Sequence, residues 1–466
     1  MIAVFRHHVS TFGLMKVLSD MTLAFAGVLL GFWTVSAVRG SGLSDGRSTI
    51  EMLEIALAFA LLMSLTSACF GLYRRSRTSK ASRTARMLLA LPIGGGFAYL
   101  AVRLFADHEY AAMLTATALA YLGVGLLVFR TASRYLRRWT QPSRILIVGT
   151  GPEALTLAHE LEGQKRIGGE VIGFYPTTSS TQDADPGFPH RVFARDVKLV
   201  DLVARHEVRE VIVAVTEHRG GGVPMEQLLA CRTLGVRVLD LAGFYERLKS
   251  EVPIQSLKAS WLVYGQGFVQ GRMRRWIKRT FDIVCAGVLL LATLPIMAIA
   301  MVLIAIDSPG PVLYRQERVG CRGRAFTCLK LRSMRIDAEG DGVARWATSD
   351  DDRITRVGGF IRKTRIDELP QLISVLRGEM SLVGPRPERP SFVRELTDQI
   401  PFYDIRHSIK PGLTGWAQVR YCYGSTLEDA KRKHQFDLYY VKNNSLFLDL
   451  MILIETVSVV LLREGQ

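Results

Sequence analysis

The chain has 466 residues, with 59 Lys and Arg against 43 Asp and Glu, a formal charge of +16 and 48% hydrophobic residues. A mean hydropathy of +0.18 alongside 22% charged residues excludes a disordered chain and describes apolar blocks joined to soluble ones, in about two or three domains. The basic balance points to anionic partners (phosphate esters, acidic lipid head groups or nucleic acid), and six scattered cysteines with no CxxC pair and no HExxH exclude a disulfide framework and a zinc enzyme.

Four apolar runs come first, Leu14–Val38, Ile50–Tyr73, Met87–Phe105 and Tyr110–Phe129. Each has the ~20 residues that a helix needs to cross a hydrocarbon core. Arg74, Arg75, Arg77, Lys80, Arg83 and Arg86 lie between the second and third runs, and Arg130, Arg134, Arg137, Arg138 and Arg144 follow the fourth. The other two loops are nearly balanced in charge. By the positive-inside rule both chain ends of this four-helix transmembrane domain, residues 1–138, face the cytoplasm.

From Ser143 the pattern turns to short β runs alternating with helical ones. Strands are expected at Arg144–Val148, Val171–Phe174, Val208–Val215 and Val236–Leu239, which makes residues 143–262 a small Rossmann-like α/β domain. The turn from Gly149 through Gly151 to Ala154 could seat a pyrophosphate on a helix N-terminus. The second strand, however, runs into Tyr175, Pro176 and Thr177, and no acid appears until Asp183 to hold a ribose. A structural or regulatory domain that uses glycines for tight packing is the stronger expectation. Tyr245 and Lys249 match a YxxxK dehydrogenase pair, but Arg232 stands where the partner serine belongs.

A fifth run, Ile283–Ile306, is again long enough to span. Arg272, Arg274, Arg275, Lys278 and Arg279 precede it, and Arg315, Arg318, Arg322, Arg324 and Lys330 follow it, so both flanks belong in the cytoplasm. Pro295 breaks the hydrogen-bond ladder at its middle. These features predict a re-entrant helix that enters and leaves by one face. The flanking basic collar, Lys278 and Arg279 included, is expected to grip lipid phosphates rather than nucleic acid.

Downstream, Asp307 to Pro311 (DSPGP) is a rigid exit, and Val312–Gly320 and Phe326–Met334 read as paired strands. Asp367 is placed to cap a helix beginning at Glu368, whose dipole would keep Asp367 ionised. Adjacent carboxylates diverge by about 100° on a helix, so one can be a nucleophile while the other serves a metal or a neighbouring hydrogen bond. The stiff turn Gly384 to Pro387 (GPRP) presents Arg386 as phosphate recognition wants.

From Arg275 to the C-terminus the chain resembles the bacterial polyprenyl-phosphate hexose-1-phosphate transferases, the monotopic membrane phosphoglycosyl transferases. The matching segments are Lys278-Arg279-x-x-Asp282, Asp307 to Pro311, Arg315 to Gly320, Asp367 to Leu372 (DELPQL), Ser381 to Pro387 and Lys410 to Val419. The four N-terminal runs and central α/β segment resemble the large subfamily that initiates exopolysaccharide synthesis, with residues 272–466 as the catalytic domain. One departure is Leu294, where some relatives carry Ser before the helix-breaking proline.

The resemblance implies transfer of sugar-1-phosphate from a UDP-sugar to undecaprenyl phosphate with release of UMP, at the cytoplasmic face of the bacterial inner membrane. It implies Asp367 as the attacking group and Glu368 as its positioning partner, the two holding Mg²⁺. Arg362 and Arg386 are assigned to the phosphates, with Lys330, Arg332 and Arg318 as further candidates. Leu446–Leu462, carrying Asp449 and Glu455, is short and charged for a span and reads as an interfacial amphipathic helix. A homodimer is expected, with the central domain supporting dimerisation or regulation. The rival readings are a membrane-anchored NAD-dependent nucleotide-sugar dehydratase or epimerase, and a non-catalytic assembly scaffold.

Overall fold

The computed structural model describes the chain apart from residues 1, 5–6, 10, 41–47, 74–79, 105, 137–142, 164–168, 178–189, 216–222, 255–256, 258–261, 263–266, 269, 340–352, 422–423, 425 and 463–466. Arg74, Arg75, Arg77, Arg137, Arg138 and Asp183, which enter the sequence reading, lie outside the described residues. The chain divides into two compact units, one of residues 1–131 with 266–466 and one of residues 132–265.

The first unit opens with a short antiparallel pair, β1 (Ile2–Val4) and β2 (His7–Val9), and four long helices, α1 (Thr11–Arg39), α2 (Thr49–Cys69), α3 (Lys80–Arg103) and α4 (His108–Leu136). Ser48 and Glu51 form a reciprocal capping box that starts α2, satisfying two of its orphan amides. The four helices share one apolar core, built from Phe32 of α1, Phe59 and Met63 of α2, Val102 of α3 and Leu114 of α4. Their outer faces expose Trp33, Leu61, Phe97 and Leu127, an apolar exterior of the kind lipid rather than water tolerates. Among the described residues five helices are long and apolar enough to cross a membrane, which makes this a membrane-associated chain.

One end of this helix group is polar. Tyr73, just after α2, donates to Asp20 of α1 at 3.0 Å, and Arg130 of α4 stands 3.8 Å from the same carboxylate. That end meets the C-terminal segment: the ring of His7 bonds Tyr439 at 2.8 Å, and Gly71 lies against the hydroxyl of Ser458.

The second unit is a parallel sheet covered by helices on both faces. Its strands, β3 (Arg144–Val148), β4 (Glu170–Tyr175), β5 (Glu210–Val213) and β6 (Arg237–Asp240), run in the order β4-β3-β5-β6. Alternate residues of β3 face opposite layers. Leu146 and Val148 pack with Leu202 and Leu228, while Ile145 and Ile147 pack with Leu157 and Phe244. Gly149 takes a left-handed φ of 119°, and a Cβ there would stand 2.7 Å from the Ala214 carbonyl oxygen, so this glycine serves close strand packing. The carboxylate of Glu153 lies 3.3 Å from where a Cβ on Gly151 would sit, placing a negative charge in the turn. Lys249 pairs with Glu160 at 2.7 Å while lying over the ring of the buried Tyr245, so the YxxxK match is a helix end packed inward.

The rest of the first unit begins with a helix of 36 residues, Arg272–Asp307. After α5 (Pro152–Gly163), α6 (Leu199–Arg205), α7 (Met225–Thr233) and α8 (Leu241–Lys249) of the second unit, it is α9. Near its start Asp282 bonds the amide of Leu382, and near its end Ala300 and Ile304 pack with Leu331 and Ile361. Both ends therefore touch the same C-terminal segment, while Val288, Leu291, Leu294, Ile299 and Val302 between them are exposed.

That segment comprises an antiparallel hairpin, β7 (Leu313–Val319) and β8 (Ala325–Leu331), then α10 (Arg356–Lys363), α11 (Gln371–Arg377), β9 (Ser381–Val383), α12 (Pro390–Gln399), β10 (Gly412–Thr414), α13 (Trp416–Arg420), α14 (Leu427–Asn443) and α15 (Leu446–Leu462). β9 and β10 pair in parallel.

α15, expected as an interfacial amphipathic helix, exposes Leu450, Val457 and Leu461 and turns its polar residues inward. Asp449 is buried in an ion pair with Lys278 at 2.7 Å, Glu455 pairs with Arg420 at 2.9 Å, and Ser458 packs against Gly71. The charges that look solvent-facing in sequence point into the protein, where cationic partners offset their desolvation.

Candidate functional site

After α10 the chain reverses at Arg365, whose left-handed φ of 60° costs about 1 kcal/mol for a residue with a Cβ. A single 3₁₀ turn, Ile366–Glu368, follows and leads through Leu369 and Pro370 into α11. Both carboxylates are buried at 7% exposure. Asp367 is therefore not the cap of a helix starting at Glu368. It lies inside the turn, and the following helix begins at Gln371 with Pro370 before it.

Glu368 is the anionic hub. Its Oε1 accepts from Arg386 at 2.7 Å and from Lys330 of β8 at 3.0 Å, with Arg365 at 3.8 Å. Burial pushes its pKa up, but Arg386, Lys330 and Arg365 together outweigh that and hold it well below the usual carboxylate range. Asp367 goes the other way: burial first, and then the charge of Glu368, raise it to about 6. Its Oδ1 is buried with no hydrogen-bond partner among the described residues. A helix dipole that keeps Asp367 acidic, the sequence expectation, is not what governs it. Two neighbouring carboxylates have been driven apart, one paired through a single oxygen with three cations and one left more basic with an open oxygen.

Arg386 is carried by a clamped turn. The Gly384 amide donates to the Thr414 carbonyl, and the Gly412 amide donates to Pro385, each at 2.9 Å. Arg318 donates to the carbonyl of Pro387 at 3.1 Å and faces Glu388 at 3.6 Å. Arg406 donates to the carbonyl of Arg386 at 2.8 Å while paired with Asp437 at 2.9 Å. Both members of that pair are almost fully buried, so the turn rests on a fixed support rather than a solvated one.

The other predicted basic residues are placed elsewhere. Arg332 bonds the carbonyls of Ser308 and Pro309 and the Ser308 hydroxyl, fastening the exit from α9. Asp307 accepts from the amide of Val357 at 3.1 Å, so the DSPGP exit also caps α10. Arg362 is half-buried near the end of α10, with no ion-pair partner among the described residues. Lys278 and Arg279 do not form a lipid-facing collar. Lys278 pairs with Asp449, and Arg279 donates to the carbonyls of Val375 and Leu376, both at 2.6 Å. Pro295 lies within α9 in its exposed apolar stretch. The turn also contains Arg365, which the sequence reading passed over for Arg362; its place three residues before Glu368 was the available signal.

A buried histidine lies beside the Arg406 support. Burial, with Arg406 adding to it, lowers His434 from its ordinary 6.5 to about 3. An unfolded imidazole takes up a proton as pH falls below 6.5, whereas folded His434 does not until about 3. The unfolded state thus binds more protons across that window, and stability falls by about 1.4 kcal/mol per pH unit as pH drops through it. His407, lowered to about 4, acts in the same direction. Asp367 and Asp437, both raised to about 6, act in the opposite direction and offset part of this effect. The urea midpoint of the detergent-solubilised protein is still expected to drop between pH 7 and pH 5.5, and His434→Gln to drop less steeply.

A family model described as bacterial sugar transferase matches residues 273–463. The UDP-N-acetylgalactosamine-undecaprenyl-phosphate N-acetylgalactosaminephosphotransferase of Aeromonas hydrophila is 41% identical over 241 residues, which are 52% of this chain and 56% of the relative. The UDP-glucose:undecaprenyl-phosphate glucose-1-phosphate transferase of Escherichia coli K12 is 30% identical over 456 residues, 94% of this chain and 93% of the relative. A protein of the same name from Caulobacter vibrioides is 44% identical over 190 residues, 40% of this chain and 71% of the relative. The chain spans just over half the length of the first relative and nearly all of the second. With the family model lying on the segment that holds Asp367, Glu368, Lys330 and Arg386, the chain belongs to the bacterial sugar transferase family, among the undecaprenyl-phosphate hexose-1-phosphate transferases.

Proposed function

We propose that this protein transfers sugar-1-phosphate from a UDP-sugar to undecaprenyl phosphate and releases UMP, with Asp367 as the nucleophile. The observation that carries the reading is the divided carboxylate pair: Glu368 neutralised by Lys330 and Arg386, and Asp367 buried with an unpartnered Oδ1. Asp367 attacks the phosphorus that bears the sugar, the bond to the UMP oxygen breaks, and UMP leaves with those electrons. An oxygen of undecaprenyl phosphate then attacks the same phosphorus and Asp367 leaves as carboxylate. The acceptor phosphate is already ionised near neutral pH, so no strong general base is needed. One phosphoanhydride replaces another, and the reaction needs no ATP.

Anions approach an anion in both steps, and the cations around Glu368 lower that barrier by fixed charge rather than by reorganisation. Mg²⁺ fits as the divalent cation, since such ions use one or two carboxylates together with substrate phosphates. Asp367, with its open Oδ1, and Glu368 are the carboxylates that would hold it, the Oε1 of Glu368 being shared with Arg386 and Lys330. When bound, the ion offsets phosphate charge.

The three parts of the chain take separate roles in this reading: residues 1–138 anchor it in the bacterial inner membrane, 143–262 form a Rossmann-like domain for dimerisation or regulation, and 272–466 carry the chemistry. A re-entrant α9 is supported by the contact of both its ends with one segment. The polar end of the four-helix group, with Arg130 and Asp20, meets the same segment, which supports a site at the cytoplasmic face. UMP release by the purified protein with Mg²⁺, undecaprenyl phosphate and a panel of UDP-sugars tests the reading. Release with one sugar supports it and names the donor; no release with any sugar favours a scaffold.

A further inference from the structure

Lys278, Arg279 and Asp282 begin the membrane helix, yet their polar atoms are spent on the two chain segments that carry the reacting groups. Lys278 and Asp282 are four residues apart and share one face of α9. Asp282 accepts from the amide of Leu382 at 3.2 Å, and Lys278 donates to the carbonyl of Val383 at 3.3 Å. These are consecutive backbone groups of β9, whose flanking amides at Ser381 and Gly384 turn the other way, to the carbonyls of Pro411 and Thr414. Side chains of a helix thus cover a strand edge that would otherwise present unpaired backbone groups.

Arg279 does the corresponding service for α11. Its two terminal nitrogens each bond a carbonyl of the last turn, Val375 and Leu376; the Val375 carbonyl also accepts from the capping amide of Gly378 at 3.0 Å. The charge of Lys278 is balanced at the buried Asp449, whose other oxygen accepts from Tyr440 at 2.6 Å, and that hydroxyl also lies 2.9 Å from the Val383 carbonyl.

β9 ends three residues before Arg386, and α11 begins three residues after Glu368. The 2.7 Å contact between Arg386 and Glu368 therefore spans two elements that are held on the same turn of α9. Exposed Arg272 and Arg275 remain available to lipid head groups at that end of the helix.

We propose that Lys278, Arg279 and Asp282 are positioning residues that set the separation of Arg386 and Glu368, so that the seating of the membrane helix fixes the geometry of the transfer site. The proposal rests on the function stated above, and the unmutated protein in the same assay reports on that function separately.

Arg279→Lys keeps the positive charge but cannot reach both carbonyls. In the full-length protein kcat for UMP release is expected to fall about tenfold, with KM for the UDP-sugar within twofold and the yield in the membrane fraction unchanged. In an Arg386→Lys background the same substitution is expected to cost less than twofold, because its route to the chemistry is already disturbed. An equal loss in both backgrounds, or an unchanged kcat, would overturn the proposal and leave these residues a purely structural role. Hydrogen exchange needs no turnover: Arg279→Lys is expected to speed exchange at residues 367–386 and leave α1–α4 unchanged, whereas unaltered exchange at 367–386 would count against it.

Discussion

Replacing Asp367 by asparagine is expected to lower UMP release by about ten-thousandfold or more, the scale of loss when a nucleophile is removed outright. Asparagine keeps the shape of the side chain and removes the charge, and the oxygen concerned has no partner among the described residues to lose. Folding should therefore be unharmed; relief from the charge of Glu368 and from the burial of a carboxylate even favours it. An unfolding midpoint equal to or above that of the unmutated protein, together with loss of turnover, separates a chemical role from a structural one. A variant that keeps a tenth or more of the activity would remove Asp367 from the reaction.

The second large effect is expected at Glu368. Glu368→Gln removes the charge that gathers Arg386 and Lys330 and leaves three cations around a neutral amide. The expected loss in kcat is about a hundredfold to a thousandfold, comparable to deleting a preorganised electrostatic group. Stability should suffer less than for a fully buried pair, since Arg386 is 35% and Arg365 42% exposed and both can turn to solvent. With that anion gone, Asp367 becomes easier to ionise but its neighbouring cations lose their fixed positions. A fall in kcat with little change in thermal midpoint is the signature to look for. An equal rise in KM with kcat intact would instead make Glu368 a ground-state binding residue.

How far the site was legible in sequence depended on whether a residue's partner could be inferred. The turn around Asp367, the GPRP turn and the strand bearing Lys330 are local features, and composition and spacing locate them. Which guanidinium faces which acceptor is not local. Lys330 and Arg332 would share a face if the strand continued, but β8 stops at Leu331, and Arg332 turns away to Ser308 and Pro309. Lys278 and Arg279 count as a basic collar by charge alone, yet carbonyls and a carboxylate from residues about a hundred or more positions away claim them. The same reason hid α15: Asp449 and Glu455 break an apolar run in sequence, and only the fold brings Lys278 and Arg420 to them. Arg406, buried behind the Arg386 turn with Asp437, carries no motif that marks it.

The expectation that a helix dipole governs Asp367 fails for the same reason. A helix dipole is worth less than about 1 kcal/mol at an exposed terminus, whereas a buried carboxylate beside another is governed by desolvation and like charge. Once Asp367 is known to lie inside a turn rather than at a helix start, its elevation follows.

The most direct test is to incubate the purified protein with Mg²⁺ and its UDP-sugar in the absence of undecaprenyl phosphate, then weigh the intact chain and its peptides. The account predicts a mass increase of one sugar phosphate on the peptide containing Asp367, formed with release of an equal amount of UMP and discharged when undecaprenyl phosphate is added. UMP release that requires both substrates together, with no modified peptide at any time, would contradict it and make the transfer a single displacement.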